Sequence, residues 1–265
     1  MSYYSFEQPR RRSAVRPSPV FLLVLAVTIG SALWVWHAGN SEAKGDRAMA
    51  FVFVIAAWVL SLSLHEFAHA FSAWRFGDHE VEARGYLSLN PLKYSHPVLS
   101  ILLPILFIAA GGFGLPGGAV YLHPHRFRTA AQRMIVSLSG PAMNLLSAVA
   151  CFVVGRLIDR ERAGLFFLAL MFLALLQVSA TILNLLPVPG LDGYGAVEPY
   201  LSPETQRTFE QFKPFGMLVL FALLWGVPAV NNAFFRLVYW FFELSGENRY
   251  YAALGSLVVR FWKLY

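Results

Sequence analysis

The sequence predicts an α-helical polytopic membrane protein with about six membrane helices and a short re-entrant or β-strand region. Two observations carry that prediction. Hydrophobic residues make up 57% of the 265 residues and charged residues 14%, with a mean hydropathy of +0.54, which leaves too little polar surface to cover a soluble domain of this length. The apolar residues are also gathered into long runs, so burial in a bilayer is the default reading. Basic residues punctuate those runs. The formal charge of +6 therefore reads as loops facing an anionic lipid leaflet, and no nucleic-acid partner is expected.

Residues 19–37 form the first span. Arg10, Arg11, Arg12 and Arg16 precede it, as in a signal peptide, and Ser41-Glu42-Ala43 supplies a small-residue site. The apolar run from Val20 to Trp36 exceeds the usual signal-peptide stretch of about 7–15 residues, so a retained anchor is expected. The second span is 49–75. The third apolar run, 97–113, has Pro104 in its middle and falls short of the roughly 20 residues a crossing helix needs. Spans at 134–156 and 164–186 follow. The last apolar region, 214–244, is interrupted by Pro228, Asn231 and Asn232 and reads as two helices or a bent hairpin.

With the N-terminus inside, the basic loops favour inner positions if 97–113 dips in and returns rather than crossing. That scheme brings residues 65–69 and 192 to the same inner side. Val81 to Leu89 alternates with period two and reads as a strand, as does Gly117 to Leu122 after a glycine-rich bend. Three regions result: 1–48, a basic tail and first helix; 49–195, a core; and 196–265, C-terminal helices and tail. Cys151, the only cysteine, lies in an apolar run and is read as packing.

The chemistry starts at His65-Glu66-Phe67-Ala68-His69. Four residues along a helix rotate by about 400°, so both imidazoles share a face and reach one ion. Zinc at such a site acidifies water, and Glu66, beside the first ligand, is placed to take the proton. Ionisable groups inside an apolar helix are costly unless paired or bound to something. Catalytic zinc needs a third protein ligand. Asp192, in Asn184-Leu185-Leu186-Pro187-Val188-Pro189-Gly190-Leu191-Asp192-Gly193, is the best remaining candidate, because the prolines and glycine break the helix and let the chain turn back. An ordinary Asp-Gly turn at a helix end accounts for the same spacing. A membrane metal-ion transporter, or a non-proteolytic membrane scaffold, is the alternative to an enzyme.

Three motifs in order, His65-Glu66-Phe67-Ala68-His69, then Ser139-Gly140-Pro141-Ala142-Met143-Asn144, then Asn184 through Gly193, resemble the site-2 protease family of intramembrane zinc metalloproteases. Arg84 to Leu92 looks like its compact branch without a PDZ domain, although His96-Pro97 stands where that branch has Asp-Pro. Gly117-Gly118-Ala119-Val120 stands where it often has Ala-Lys-Pro. The resemblance implies one zinc ion on His65, His69 and Asp192, Glu66 as the group that activates water, and Asn144 and Asn184 in contact with substrate. Each asparagine also has a packing reading, since Ser139, Gly140 and Ala142 permit close helix approach. The family cleaves transmembrane segments of other proteins, among them membrane-bound regulators such as anti-sigma factors. An extended substrate needs an edge to lie on, and the strands near 81–89 and 117–122 are expected to supply it, with Gly117 and Gly118 at the substrate. The expected location is a multi-pass protein of the plasma or inner membrane with its site toward the cytoplasm.

Overall fold

The computed structural model describes residues 14–94, 105, 106, 108 and 126–263. Helix α1 (Pro19–His37) starts at Ser18, whose Oγ accepts from the Phe21 amide at 3.1 Å, with Pro19 in the first turn; this is a standard cap. A tight turn leads into α2 (Lys44–Arg75). The hairpin is tied by Asp46, which accepts from Trp34 Nε1 at 2.9 Å and from Ser41 Oγ at 2.5 Å. From Lys44 to His65 is about 31 Å along the axis, roughly one hydrocarbon thickness, so the histidines lie toward the surface opposite Lys44.

After α2 come a single turn, α3 (Glu80–Ala83), and a 3-10 turn at Tyr86–Ser88. Helix α4 (Ala130–Leu157) is capped by Thr129, which accepts from the Gln132 amide, and α5 (Gly164–Leu185) follows a short polar loop. Helix α5 is buried nearly all round because α1, α2, α4 and the C-terminal helix α10 (Arg249–Val259) pack against it. Its buried Gln177 donates to Ser61 Oγ of α2 at 2.6 Å, an interhelical bond that suits an apolar interior.

The chain then makes α6 (Asp192–Val197), α7 (Pro203–Glu210), α8 (Lys213–Gly226) and α9 (Pro228–Glu243). Helices α8 and α9 meet at 98°, the interruption expected at Pro228. Proline has no amide for the Leu224 carbonyl, and Asn231 Nδ2 donates to that carbonyl at 3.0 Å instead. The break is thus satisfied internally, as a bilayer requires. Among the described residues four helices are long and apolar enough to cross, and the bent pair is a fifth candidate. The chain is an α-helical membrane protein, with fewer described spans than the six expected.

One end of the bundle gathers the N-terminus of α1, the C-termini of α2 and α5, the start of α4, and α6. The Ser18 amide bonds Ser88 O at 2.9 Å there. Tyr94 bonds Tyr86 O at 3.2 Å, and Arg126 pairs with Asp78 at 3.8 Å. Residues 94 and 126 therefore flank the 97–113 stretch from the same end. That stretch lies outside the described residues except for Ile105, Leu106 and Ile108, and Ile108 is fully buried in the cluster formed by α1, α2 and α5.

The strand expected at Val81–Leu89 is corrected. Gly85 has φ +75 and Leu89 φ +53, left-handed conformations that no extended strand contains. The alternation in the sequence does not carry into burial: Val81, Tyr86, Leu87 and Leu89 are buried from successive turns, while Ala83 is exposed. Local bonds, including Ser88 Oγ to Gly85 O at 2.6 Å, replace a ladder. The second expected strand, 117–122, lies outside the described residues.

Candidate metal centre

Helical phase brings His65 and His69 onto one face of α2, with Nε2 atoms 3.1 Å apart. Asp192 opens α6 and completes the group: its Oδ2 is 3.4 Å from His65 Nε2 and its Oδ1 is 3.3 Å from His69 Nε2. Donors bonded tetrahedrally to zinc at about 2.0–2.1 Å stand about 3.3 Å apart. The three side chains already have that spacing, and two imidazoles with a carboxylate are a standard catalytic zinc donor set.

The carboxylate is delivered by a loop clasped to the end of α5. Leu186 is extended, Pro187 and Pro189 stop the helix, and Gly190 has φ +95. Gly193 rests on the Leu185 carbonyl, where a Cβ would come within 2.2 Å, and Gly216 of α8 rests on the Pro189 carbonyl, where one would come within 1.7 Å. Backbone meets backbone at both points, so the position of Asp192 is fixed from two sides.

His69 is oriented by α4. Its Nδ1–H donates to Val136 O at 2.7 Å, and Ser139 Oγ donates to the same carbonyl at 2.7 Å. A ring that carries its proton on Nδ1 presents the Nε2 lone pair to the centre. Two imidazole nitrogens and a carboxylate converging on one point form a donor set that can hold a divalent cation. The imidazoles are 7% and 8% exposed and the Asp192 side chain 23%, so the centre opens on the carboxylate side.

Glu66 is buried on α2 beside His65. Asn144 lies one turn past Gly140 on α4 and is buried, and Asn184 is buried next to Leu185 at the end of α5. Gly117 and Gly118 lie outside the described residues. Sequence reasoning did not single out Tyr94, whose buried hydroxyl is 3.2 Å from Tyr86 O and 3.5 Å from Ser63 O of α2; burial, and then the Glu66 charge, keep that hydroxyl from ionising. No motif marks it. Val136 was also missed, because it acts through its backbone.

Fold and site together define a helical membrane protein with a His-Glu-x-x-His helix and a distant carboxylate that could complete a metal-binding group. The comparisons agree. A relative in Mycolicibacterium smegmatis is 53% identical over 251 residues, 95% of this chain and 96% of the relative. One in Mycobacterium tuberculosis H37Rv is 51% identical over 96% of this chain and 98% of the relative. A more distant one in Bacillus subtilis is 29% identical over 64% of this chain and 79% of the relative. All three carry the name "Putative zinc metalloprotease", as Rip2 in the first two and YwhC in the third. No family model matches the chain, and no solved structure matches it. The chain belongs to the family of these zinc metalloproteases, the site-2 protease family, and zinc is its cofactor.

Proposed function

We propose that this chain is a zinc endopeptidase that hydrolyses peptide bonds within or near transmembrane segments of other membrane proteins. The observation that carries the reading is the convergence of His65, His69 and Asp192 at zinc-ligand spacing inside a helical bundle of membrane spans. When bound there, zinc polarises a carbonyl and lowers the pKa of water toward about 7. The residues divide the remaining work. His65, His69 and Asp192 hold the ion. Glu66, one residue from the first ligand, takes the proton from the attacking water and passes it to the leaving amine. Asn144 shares the face of Gly140, which abuts the imidazoles, and its amide holds the substrate backbone or the developing oxyanion. Asn184, near the Gly193 contact, does the same from α5.

The substrate is a transmembrane protein unwound over a few residues, because helical carbonyls are shielded by their own hydrogen bonds. A membrane-bound regulator such as an anti-sigma factor fits this class. The site faces the cytoplasm of a plasma or inner membrane: Arg75, Arg84, Lys93, Arg126, Arg128 and Arg133 gather at its end of the bundle, as the charge bias of inner loops favours.

Isolated membranes containing the chain test the proposal. New peptide termini are expected inside transmembrane segments, lost on zinc chelation and restored by zinc. Termini confined to soluble loops, or cleavage indifferent to chelation, contradict it.

A further inference from the structure

We propose that Gly140 is a metal-site residue, because the side chain missing at this position is the space the ion occupies. The inference rests on His65, His69 and Asp192 being the ligands. A Cβ built on Gly140 would lie 2.2 Å from His69 Nε2 and 2.6 Å from His65 Nε2. An ion on those nitrogens sits about 2.0–2.1 Å from each. The methyl group and the ion compete for one place, so α4 walls the coordination sphere with bare backbone.

Close helix packing is the rival account of this glycine, and the neighbouring contacts argue against it. Gly155, on the same helix, would place its Cβ 2.6 Å from Met171 Cε, the movable end of a flexible side chain. Gly140 would instead strike two ligand nitrogens, one of them in a ring anchored to Val136 O at 2.7 Å. Pro141 follows directly. Glycine and proline are the residues least suited to a helix interior, and the chain places the pair where α4 meets the imidazoles. The same helix therefore orients His69 through Val136 and clears the metal's place through Gly140.

Alanine at Gly140 and, separately, at Gly155 tests the inference, since both changes favour the helix equally. Zinc content and the visible spectrum of bound Co²⁺ are measured on purified full-length chain. Gly140→Ala is expected to lower metal affinity by more than about 100-fold, beyond the loss of an orienting partner, while Gly155→Ala binds as wild type does. Melting of the metal-free chain gives a second readout. Gly140→Ala lowers the midpoint in the wild-type background and has little effect when His65 and His69 are both alanine, because the clash is with their rings. Wild-type metal binding by Gly140→Ala overturns the inference, as do equal losses in both variants. A wild-type chain that takes up no metal sinks the ligand assignment itself, and the inference with it.

Discussion

Glu66→Gln is expected to lower peptide-bond cleavage by roughly 10²–10⁴-fold, the usual contribution of a positioned general base, while zinc per chain stays at the wild-type level. The two halves of that result come from separate features. Glu66 is 2% exposed on α2 and stands outside the group of three donors that lie within 4.8 Å of one another, so removing its charge leaves the ligands in place. Glutamine keeps the size of the side chain and one acceptor oxygen, but replaces the other by an NH2 donor and accepts no proton at neutral pH. The variant also separates an enzyme from a transporter: an endopeptidase loses fragment production, whereas a carrier is read by metal flux. Undiminished cleavage, or a matching loss of zinc, contradicts the assigned role.

Asp192→Ala is expected to act in the opposite order and remove the metal first. Two imidazoles on one helix remain, without the carboxylate that offsets the ion's charge. The affinity loss exceeds the roughly 10–100-fold that follows from losing an orienting partner. The loop bearing Asp192 is set by the Gly193 and Gly216 contacts, neither of which depends on the carboxylate, so the fold is expected to survive. Thermal melting with and without zinc reads this directly. A ligand at 100 times its dissociation constant stabilises by about 2.7 kcal/mol, so the wild-type midpoint rises on zinc addition and the variant's does not. Equal upward shifts in both show that Asp192 is not a ligand.

Much of the fold could be read from the sequence because bilayer spans are written in long apolar runs. The first span, 19–37, matches α1 residue for residue, and 164–186 differs from α5 by one residue. The bend at Pro228 was legible because a proline inside an apolar run has one mechanical consequence; its repair by Asn231 was not, because the asparagine reads as polarity until its partner is known. Helix α2 starts before the apolar run, at Lys44, because Asp46 is engaged by Trp34 and Ser41. The stretch at 81–89 failed as a strand because its left-handed Gly85 and Leu89 break the chain into short turns, whose burial does not follow the alternation of the sequence. Helix α10 was not anticipated as an element packed against α5.

At the metal centre, legibility followed the chemistry carried by side chains. His65, Glu66 and His69 announce themselves by spacing on one helix. Asp192 is far away in the chain, and spacing alone left an ordinary turn equally open; the closed distances to both imidazoles come from the folding back of the Pro187–Gly190 loop. Val136 and Gly140 contribute a carbonyl and a vacant Cβ position. Neither leaves a mark in a sequence read for donors, and Gly140 appeared there only as a small residue that permits helix contact.

The most direct measurement is X-ray absorption at the zinc edge on the purified chain, with His65→Ala, His69→Ala and Asp192→Ala alongside it. The account predicts one zinc per chain with only nitrogen and oxygen neighbours at about 2.0–2.1 Å, imidazole scattering in the wild type, and a reduced imidazole signal in either histidine variant. A sulfur neighbour at about 2.3 Å, or a wild-type spectrum unchanged by all three substitutions, would contradict it.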